Sequence, residues 1–380
     1  MKRIYLDHAA TSPVHPAVIE KITTVMGSTF GNPSSIHSYG RAARHVLDEA
    51  RSTIADSIHA QYAEIIFTSG GTEADNLGII GAAHANKHKG KHIITTEIEH
   101  HAVLHSCQYL EREGFDVTYL LPDESGVIRV DDIKKALRND TILVTVMYGN
   151  NEVGSIQPIK KIGELLGNHP ALFHTDAVQA YGSIQIDVKE LGVDLLSVSA
   201  HKMNGPKGIG FLYIKSGSKI SPGAYGGEQE LKRRAGTENL VSIAGFAEAV
   251  RIMLGTQDEK NNRNRQYKDQ FLNVLTSEKV DFTINGSCED NLPHVLNLSF
   301  SGTDVEALLV NLDMAGVAAS SGSACTAGSI EPSHVLVAMF GANSERTRSS
   351  VRFSFGLGNT CEEIVEAAEI TAKIVKRLRS

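Results

Sequence analysis

The chain has 380 residues, with 37 Lys+Arg against 44 Asp+Glu and a formal net charge of −7. At about 100–200 residues per domain this length predicts roughly two domains, and 41% apolar with 21% charged residues excludes a disordered chain. Mild acidity argues against direct nucleic-acid binding, which draws on clustered Lys and Arg. No run approaches the ~18 consecutive apolar residues of a membrane helix. Met1-Lys2-Arg3-Ile4-Tyr5-Leu6-Asp7-His8 reaches an acid and a histidine before a signal-peptide core could form, so a cytoplasmic protein handling small molecules is expected. Cys107, Cys288, Cys325 and Cys361 are too few and scattered for a disulfide framework, and no two form a CxxC pair.

Along the chain, Ile4-Tyr5-Leu6 reads as a short strand and Ala42 to Ser57 as a helix. Strand-like runs follow at Ile65-Ile66-Phe67, His92-Ile93-Ile94, Val117 to Leu120, Ile142 to Val146, Leu172-Phe173-His174, Leu195 to Val198 and Phe211 to Ile214. Helical periodicity fills intervals such as Val103 to Glu113 and Ile159 to Gly167. Alternating strands and helices predict βαβ units and a mainly parallel, doubly covered sheet. From about Gly255 the texture changes: Thr256 to Gln270 is almost wholly polar and reads as an exposed helix leaving the first domain. Strands at Val295 to Phe300 and Val351 to Phe355, with helices from Asp304 and Thr360, predict a smaller α+β unit. The expected division is a large domain over 12–258 and a small one made of 1–11 and 259–380.

Three strand ends carry chemistry. Thr68-Ser69-Gly70-Gly71-Thr72-Glu73-Ala74-Asp75-Asn76 leaves a strand and opens a helix, where glycines let backbone N–H groups meet an anion and Thr72 adds a hydroxyl. It is neither a Walker loop nor GxGxxG, and a plain capped βα turn explains it equally well. Phe173-His174-Thr175-Asp176-Ala177-Val178-Gln179 puts an acid at the carboxyl end of an apolar strand, facing the crevice where open α/β sheets bind ligands. Helix capping is its ordinary alternative. Ser197-Val198-Ser199-Ala200-His201-Lys202 puts a lysine at another strand end, either solvated or poised as a Schiff-base amine. Together they supply an anion cradle, an acid for a ring nitrogen and an amine for an aldehyde, the three partners that pyridoxal phosphate needs. His100, beyond the His92-Ile93-Ile94 run, is placed to stack on the ring. His101 and His105 form only one i,i+4 pair without a metalloprotease carboxylate, so no metal is expected.

A fourth feature is Ala-Ala-Ser-Ser-Gly-Ser-Ala-Cys-Thr-Ala-Gly-Ser over 318–329. Every residue around Cys325 is small, which suits a mobile loop presenting an accessible thiol more than a packed helix. Burial as a structural cysteine fits Cys107 and Cys361 better than Cys325.

Eight stretches, in order and at compatible spacing, resemble the NifS/IscS-type cysteine desulfurases of the class V pyridoxal-phosphate-dependent aminotransferases. They are Leu6-Asp7-His8-Ala9-Ala10-Thr11, Phe30-Gly31-Asn32-Pro33-Ser34-Ser35, Gly70 to Asn76, Asn150-Asn151-Glu152-Val153-Gly154, Ser199-Ala200-His201-Lys202, Arg234 to Asn239, Ser320 to Thr326 and Arg352-Phe353-Ser354. The resemblance implies a fold-type I transferase, a homodimer whose large domain holds a seven-stranded, mainly parallel sheet beside a smaller α+β domain. It implies that Lys202 binds pyridoxal 5'-phosphate as a Schiff base, Asp176 pairs with the ring nitrogen, Gln179 meets the ring hydroxyl, and His100 stacks and moves protons. Thr72, Ser199 and His201 would hold the phosphate, with Gly71 and Ala200 among the cofactor contacts and Thr237 reaching the partner subunit's phosphate. Arg352, Asn150 and Asn32 would hold the substrate carboxylate, Asn150 touching the cofactor too. Cys325 would take sulfur from L-cysteine as a persulfide, leaving L-alanine, and pass it to a protein acceptor of the iron–sulfur scaffold or tRNA-thiolation kind. Departures from the family pattern are Asn204 where an aromatic is common, Tyr148-Gly149 before Asn150, and Ala327-Gly328 after the cysteine. A selenocysteine lyase, another fold-type I reaction, or a non-catalytic sulfur-relay adaptor are the competing functions.

Overall fold

The computed structural model of the protein describes residues 3–321 and 332–380. The chain opens with β1 (Ile4–Tyr5), α1 (Pro16–Ser28) and α2 (Ser38–Asp56). It then alternates through β2 (Ile65–Thr68), α3 (Gly71–Asn86), β3 (His92–Thr96), α4 (His101–Arg112), β4 (Asp116–Leu120), α5 (Val130–Ala136) and β5 (Thr141–Thr145). α6 (Ile159–Leu166), β6 (Leu172–Asp176), α7 (Val188–Leu191), β7 (Leu195–Ser199) and β8 (Gly210–Ile214) complete the run. Strands β2 to β8 form one seven-stranded sheet in the order β2-β8-β7-β6-β5-β3-β4, parallel except for β8, which runs against both its neighbours.

The apolar runs of the sequence become these strands because the sheet is covered on both faces, so its interior strands need no polar side. β2, β3, β5, β7 and β8 are buried along their whole length, β6 is buried beyond Leu172, and the edge strand β4 is partly open. Ala74, Leu77, Val103 and Leu110 of α3 and α4 cover one face through Ile66, Ile93 and Leu212. Leu47, Ile54 and Ile162 of α2 and α6 belong to the core of the other face. Parallel pairing brings the carboxyl ends of β3, β5, β6 and β7 to one edge of the sheet.

The polar stretch Thr256 to Gln270 does not begin a helix of its own. It is the middle of α8 (Leu240–Ser277), which joins the large core through Phe246 and Val250 to a second core through Tyr267 and Phe271. Nor is it exposed throughout: Asn261, Asn264 and Tyr267 are buried, and Asn261 Nδ2 donates to Ser183 O at 2.7 Å. Polar composition misled at Asn261 because asparagine is buried once its amide finds a carbonyl; Asn264 is buried with neither amide atom hydrogen-bonded.

After α8 come β9 (Thr283–Asn285), β10 (Val295–Ser299), α9 (Val305–Met314), β11 (Val317–Ala318), α10 (His334–Phe340), α11 (Arg346–Ser349), β12 (Ser350–Ser354) and α12 (Cys361–Arg379), whose first residue Cys361 is exposed rather than buried as expected; α10 returns to the large core through Val335, Leu336 and Met339. β12, β10 and β9 form an antiparallel sheet whose Leu298 and Phe353 pack with Phe271, Ile364 and Val375. α9 and α12 start where the sequence predicts: Asp304 caps α9, and Thr360 caps α12 in a reciprocal box with Glu363. β1 pairs in parallel with β11, Ile4 opposite Val317, and Leu6 lies in the same core. From there the N-terminal segment crosses to the carboxyl edge of the large sheet.

Candidate active site

β2 ends at Thr68, and the chain turns through Ser69 and Gly70 into α3. Gly70 adopts φ 151°, a region that favours glycine. A Cβ on Gly71 would lie only 2.8 Å from Val178 Cγ2, so the helix start can approach the end of β6 only without a side chain. The result is a helix N-terminus facing a crevice, suited to an anion. Glu73 steadies it by accepting from Ser69 N–H at 2.7 Å and from Arg234 Nε at 2.8 Å.

At the carboxyl end of β6, Asp176 is buried and accepts from Val178 N–H at 2.8 Å. Burial pushes its pKa up to about 6, opposed by that hydrogen bond and by the charge of Lys202. β7 ends at Ser199, and the short turn Ala200–Lys202 carries Lys202 to the crevice. Its Nζ donates to Ala9 O at 2.5 Å and Ala10 O at 2.8 Å, so the N-terminal segment fixes the amine. His100 caps α4, its Nδ1 accepting from Ala102 N–H at 3.1 Å, which leaves the neutral ring's proton on Nε2. Burial, then Lys202 and the neighbouring histidines, lower its pKa to about 4. His201 meets Thr11 Oγ1 at 3.1 Å through Nδ1, and burial with Lys202 and Lys207 lowers it to about 4 as well.

One cavity of about 290 Å³ gathers Gly71, Thr72, His100, Asp176, Gln179, Ser199, His201, Lys202 and Arg352. Other expected residues do not line it. Asn150 is fully buried, donating to Ile98 O and accepting from Glu152 and Val153 N–H, so its amide is spent on the turn while Gly149 and Asn151 form the wall. Ala200 is buried backbone. Asn32, which accepts from Ser34 N–H, is exposed away from the cavity, and Thr237, expected to serve the partner subunit rather than this cavity, is exposed. Cys325, with residues 322–329 of the expected loop, lies outside the described residues, while Ala318 at the start of that stretch belongs to β11. Its flanks reach the site: Ser320 and Arg352 exchange backbone hydrogen bonds at 3.2 and 2.7 Å, and His334 Nε2 lies 2.9 Å from Glu99 O. Asn204 adopts φ 64°, tolerable for asparagine, and its backbone and amide bond Ser12 and Pro13.

Sequence reasoning assigned no role to a buried group beneath this cavity. Asp75, on α3, lines it; its Oδ1 accepts no hydrogen bond but lies 3.6 Å from His174 Nε2, and burial and then Asp176 raise its pKa well above the usual carboxylate range. Glu99 is fully buried; Oε1 accepts from Thr96 Oγ1 at 2.8 Å and Met147 N–H at 2.9 Å, Oε2 has no partner, and burial raises its pKa to about 8. His174 sits between Thr145 Oγ1 at 2.8 Å and Ser197 Oγ at 3.0 Å, held neutral by burial at a pKa of about 3. Asp75 follows Gly71 by one helical turn, and Glu99 precedes His100. That adjacency was the only available signal.

The donor set fits pyridoxal phosphate: a side-chain-free helix N-terminus with Thr72 and Ser199, an amine fixed by two carbonyls, and a buried carboxylate wanting a cation. Among the described residues no group of three or more His, Cys, Asp or Glu could hold a metal ion.

The chain matches the aminotransferase class-V family over residues 4–366. A relative from Bacillus subtilis (strain 168) is 61% identical over 378 residues, covering the whole of both chains. The protein named cysteine desulfurase IscS of Methanosarcina thermophila is 47% identical, covering 100% of this chain and 93% of its own length. A solved structure titled as a NifS-like protein superimposes with a TM-score of 0.92 at 33% identity, covering 99% of this chain and 100% of that one.

Proposed function

The chain belongs to the aminotransferase class-V family and is a pyridoxal-phosphate-dependent cysteine desulfurase, and we propose that Lys202 and Cys325 divide its chemistry between proton transfer and sulfur capture. The observation that carries this reading is the Lys202 amine, fixed by the Ala9 and Ala10 carbonyls in one cavity with buried Asp176. When bound, pyridoxal phosphate supplies an aldehyde that captures amines and a ring that accepts an electron pair from the substrate α-carbon. Thr72, Ser199, His201 and the Gly71 backbone hold its phosphate. Asp176 keeps the ring nitrogen positive, Gln179 meets the ring hydroxyl, and His100 covers the ring face.

Arg352 holds the carboxylate of L-cysteine, a task suited to a guanidinium. The Lys202 amine would serve as the base that takes the α-proton of the substrate. The Cys325 thiolate attacks the substrate sulfur: the new S–S bond forms as the substrate's Cβ–S bond breaks. The electron pair passes to Cβ, which takes up a solvent proton, Lys202 returns a proton to the α-carbon to complete L-alanine, and Cys325 keeps the sulfur as a persulfide. An acceptor thiolate then removes the terminal sulfur and restores the Cys325 thiolate. Acceptors of the iron–sulfur scaffold or tRNA-thiolation kind fit this product. The enzyme works in the cytoplasm as a homodimer, with Thr237 serving the partner subunit's phosphate. Phe30, Ile36 and Tyr39, 77%, 91% and 58% exposed, support a partner-covered face; among the described residues no helix is long and apolar enough to cross a membrane.

Incubation with L-cysteine and a thiol reductant is expected to yield alanine and sulfide in equal amounts without keto acid. Cys325→Ala is expected to retain the visible absorbance of the bound cofactor and to release no sulfide; normal turnover by that variant overturns the assignment.

A further inference from the structure

His294, immediately before β10, lies behind the cavity and bridges two residues of the β6–α7 connection. Its Nε2 is 3.2 Å from Gln179 Oε1, and its Nδ1 is 3.3 Å from Ser183 Oγ. Gln179 Nε2 donates to Ala9 O at 2.9 Å, the same carbonyl that accepts from Lys202 Nζ at 2.5 Å. A carbonyl oxygen only accepts, so the nitrogen of Gln179 must face Ala9 and its oxygen must face His294. That amide oxygen also only accepts, so His294 must carry its proton on Nε2 and receive the Ser183 hydroxyl at Nδ1. One fixed end thus sets every donor and acceptor along Ser183, His294, Gln179 and Ala9. Gln179 and Lys202 line both the main cavity and a small cleft behind it that His8, Lys260 and His294 close.

From this geometry we propose that His294 is a positioning residue that locks the Gln179 amide, turning its second N–H toward the oxygen substituent of the cofactor ring. The inference rests on the reading of Gln179 given above. Were Gln179 to flip, its oxygen would oppose the Ala9 carbonyl, and the cavity would lose a donor. The tautomer requires a neutral imidazole. Enclosure, with the positive charges of Lys260, Lys268 and Lys202 and the ring of His8 around it, holds the His294 pKa well below its ordinary value.

The test uses the cofactor-loaded enzyme and three variants. His294→Leu removes the donor, and is expected to shift the visible band of the bound cofactor in the same direction as Gln179→Leu. It is also expected to raise the cofactor dissociation constant about three- to tenfold, the worth of one neutral hydrogen bond. His294→Gln can donate to the same oxygen and is expected to restore both. A residue that only braces the fold would lower the unfolding temperature and leave the band in place. If Gln179→Leu shifts the band and His294→Leu does not, the inference fails while the reading of Gln179 stands. If Gln179→Leu leaves the band unmoved, that reading fails and the inference with it. Should His294→Leu not fold, the ring ¹⁵N shifts of His294 in the unaltered protein decide: protonated Nε2 is expected, and protonated Nδ1 overturns the proposal.

Discussion

Arg352 Nη2 lies 2.7 Å from Asp7 Oδ1, an ion pair joining β12 to the N-terminal segment, with the guanidinium almost wholly buried and the carboxylate 19% exposed. Nη1 of the same group donates to Asn151 O at 3.0 Å. The residue proposed to grip the substrate carboxylate is therefore held in place by an acid and a carbonyl before substrate arrives. Removing one partner of a buried pair leaves an uncompensated charge. Asp7→Ala is expected to lose about 2–4 kcal/mol in urea unfolding, below the fully buried range because Asp7 is partly solvated. Asp7→Asn, which keeps an acceptor, is expected to lose about 1 kcal/mol. KM for L-cysteine should rise more than kcat falls in both, since substrate and transition state share the carboxylate contact. An unchanged KM in Asp7→Ala would contradict the orienting role.

Glu99 makes a pH prediction. Its folded pKa is raised from 4.5 to about 8, chiefly by burial. The folded state therefore holds a proton that the unfolded chain releases, so this contribution is complete below pH 4.5 and is lost as pH rises toward 8. Glu99→Gln keeps the oxygen that Thr96 and Met147 use and removes the titration. Across that window the wild type should lose stability relative to Glu99→Gln by up to about 1.4 kcal/mol per pH unit. Unfolding midpoints of both proteins at pH 5.5 and 7.5 measure it; parallel curves would show that Glu99 does not titrate there.

The difference between Lys202 and Glu99 shows what was legible in the sequence. Lys202 and Asp176 stand at the ends of apolar runs, and interior parallel strands announce themselves as such runs, so position and residue type sufficed. The importance of Asp75 and Glu99 depends on which face of α3 packs inward and on what surrounds the turn into α4, and neither follows from local pattern. Asn150 was misleading for the opposite reason. The motif drew attention to an amide that the fold consumes in an Asx-type turn with Glu152 and Val153. His294 belonged to no motif, and its bond to Gln179 spans 115 positions.

Asp176 links cofactor uptake to pH. Its carboxyl must be ionised to pair with a protonated ring nitrogen, yet burial raises its pKa to about 6. Cofactor binding to the apoprotein should weaken as pH falls through about 6. Phosphate itself titrates near pH ~6, so the comparison is with Asp176→Asn, which should bind more weakly at pH 8 and show a flatter dependence. Titrations from pH 5 to 8 that run parallel in the two proteins would remove Asp176 from this role.

The segment bearing Thr237 is braced from within. Glu230, Leu231 and Lys232 adopt φ of 46°, 57° and 66°, three successive left-handed residues of which none is glycine. Such backbone costs about 1–2 kcal/mol per residue and persists only where the surroundings impose it. The restraint is Glu230, buried, which accepts from Arg51 Nη1 at 2.8 Å, Arg51 Nη2 at 2.7 Å and Phe67 N–H at 2.8 Å. Phe67 belongs to β2, two residues before the turn that opens the phosphate cradle, so the Thr237 segment and the cradle share one anchor. Arg51→Met strands the Glu230 carboxylate and is expected to cost about 3–5 kcal/mol. Leu231→Gly relieves the left-handed strain but adds chain entropy to the unfolded state, so its net change should stay within about 1 kcal/mol. Urea unfolding of the two variants separates anchor from strain: a large loss in Leu231→Gly, or none in Arg51→Met, would reverse the assignment.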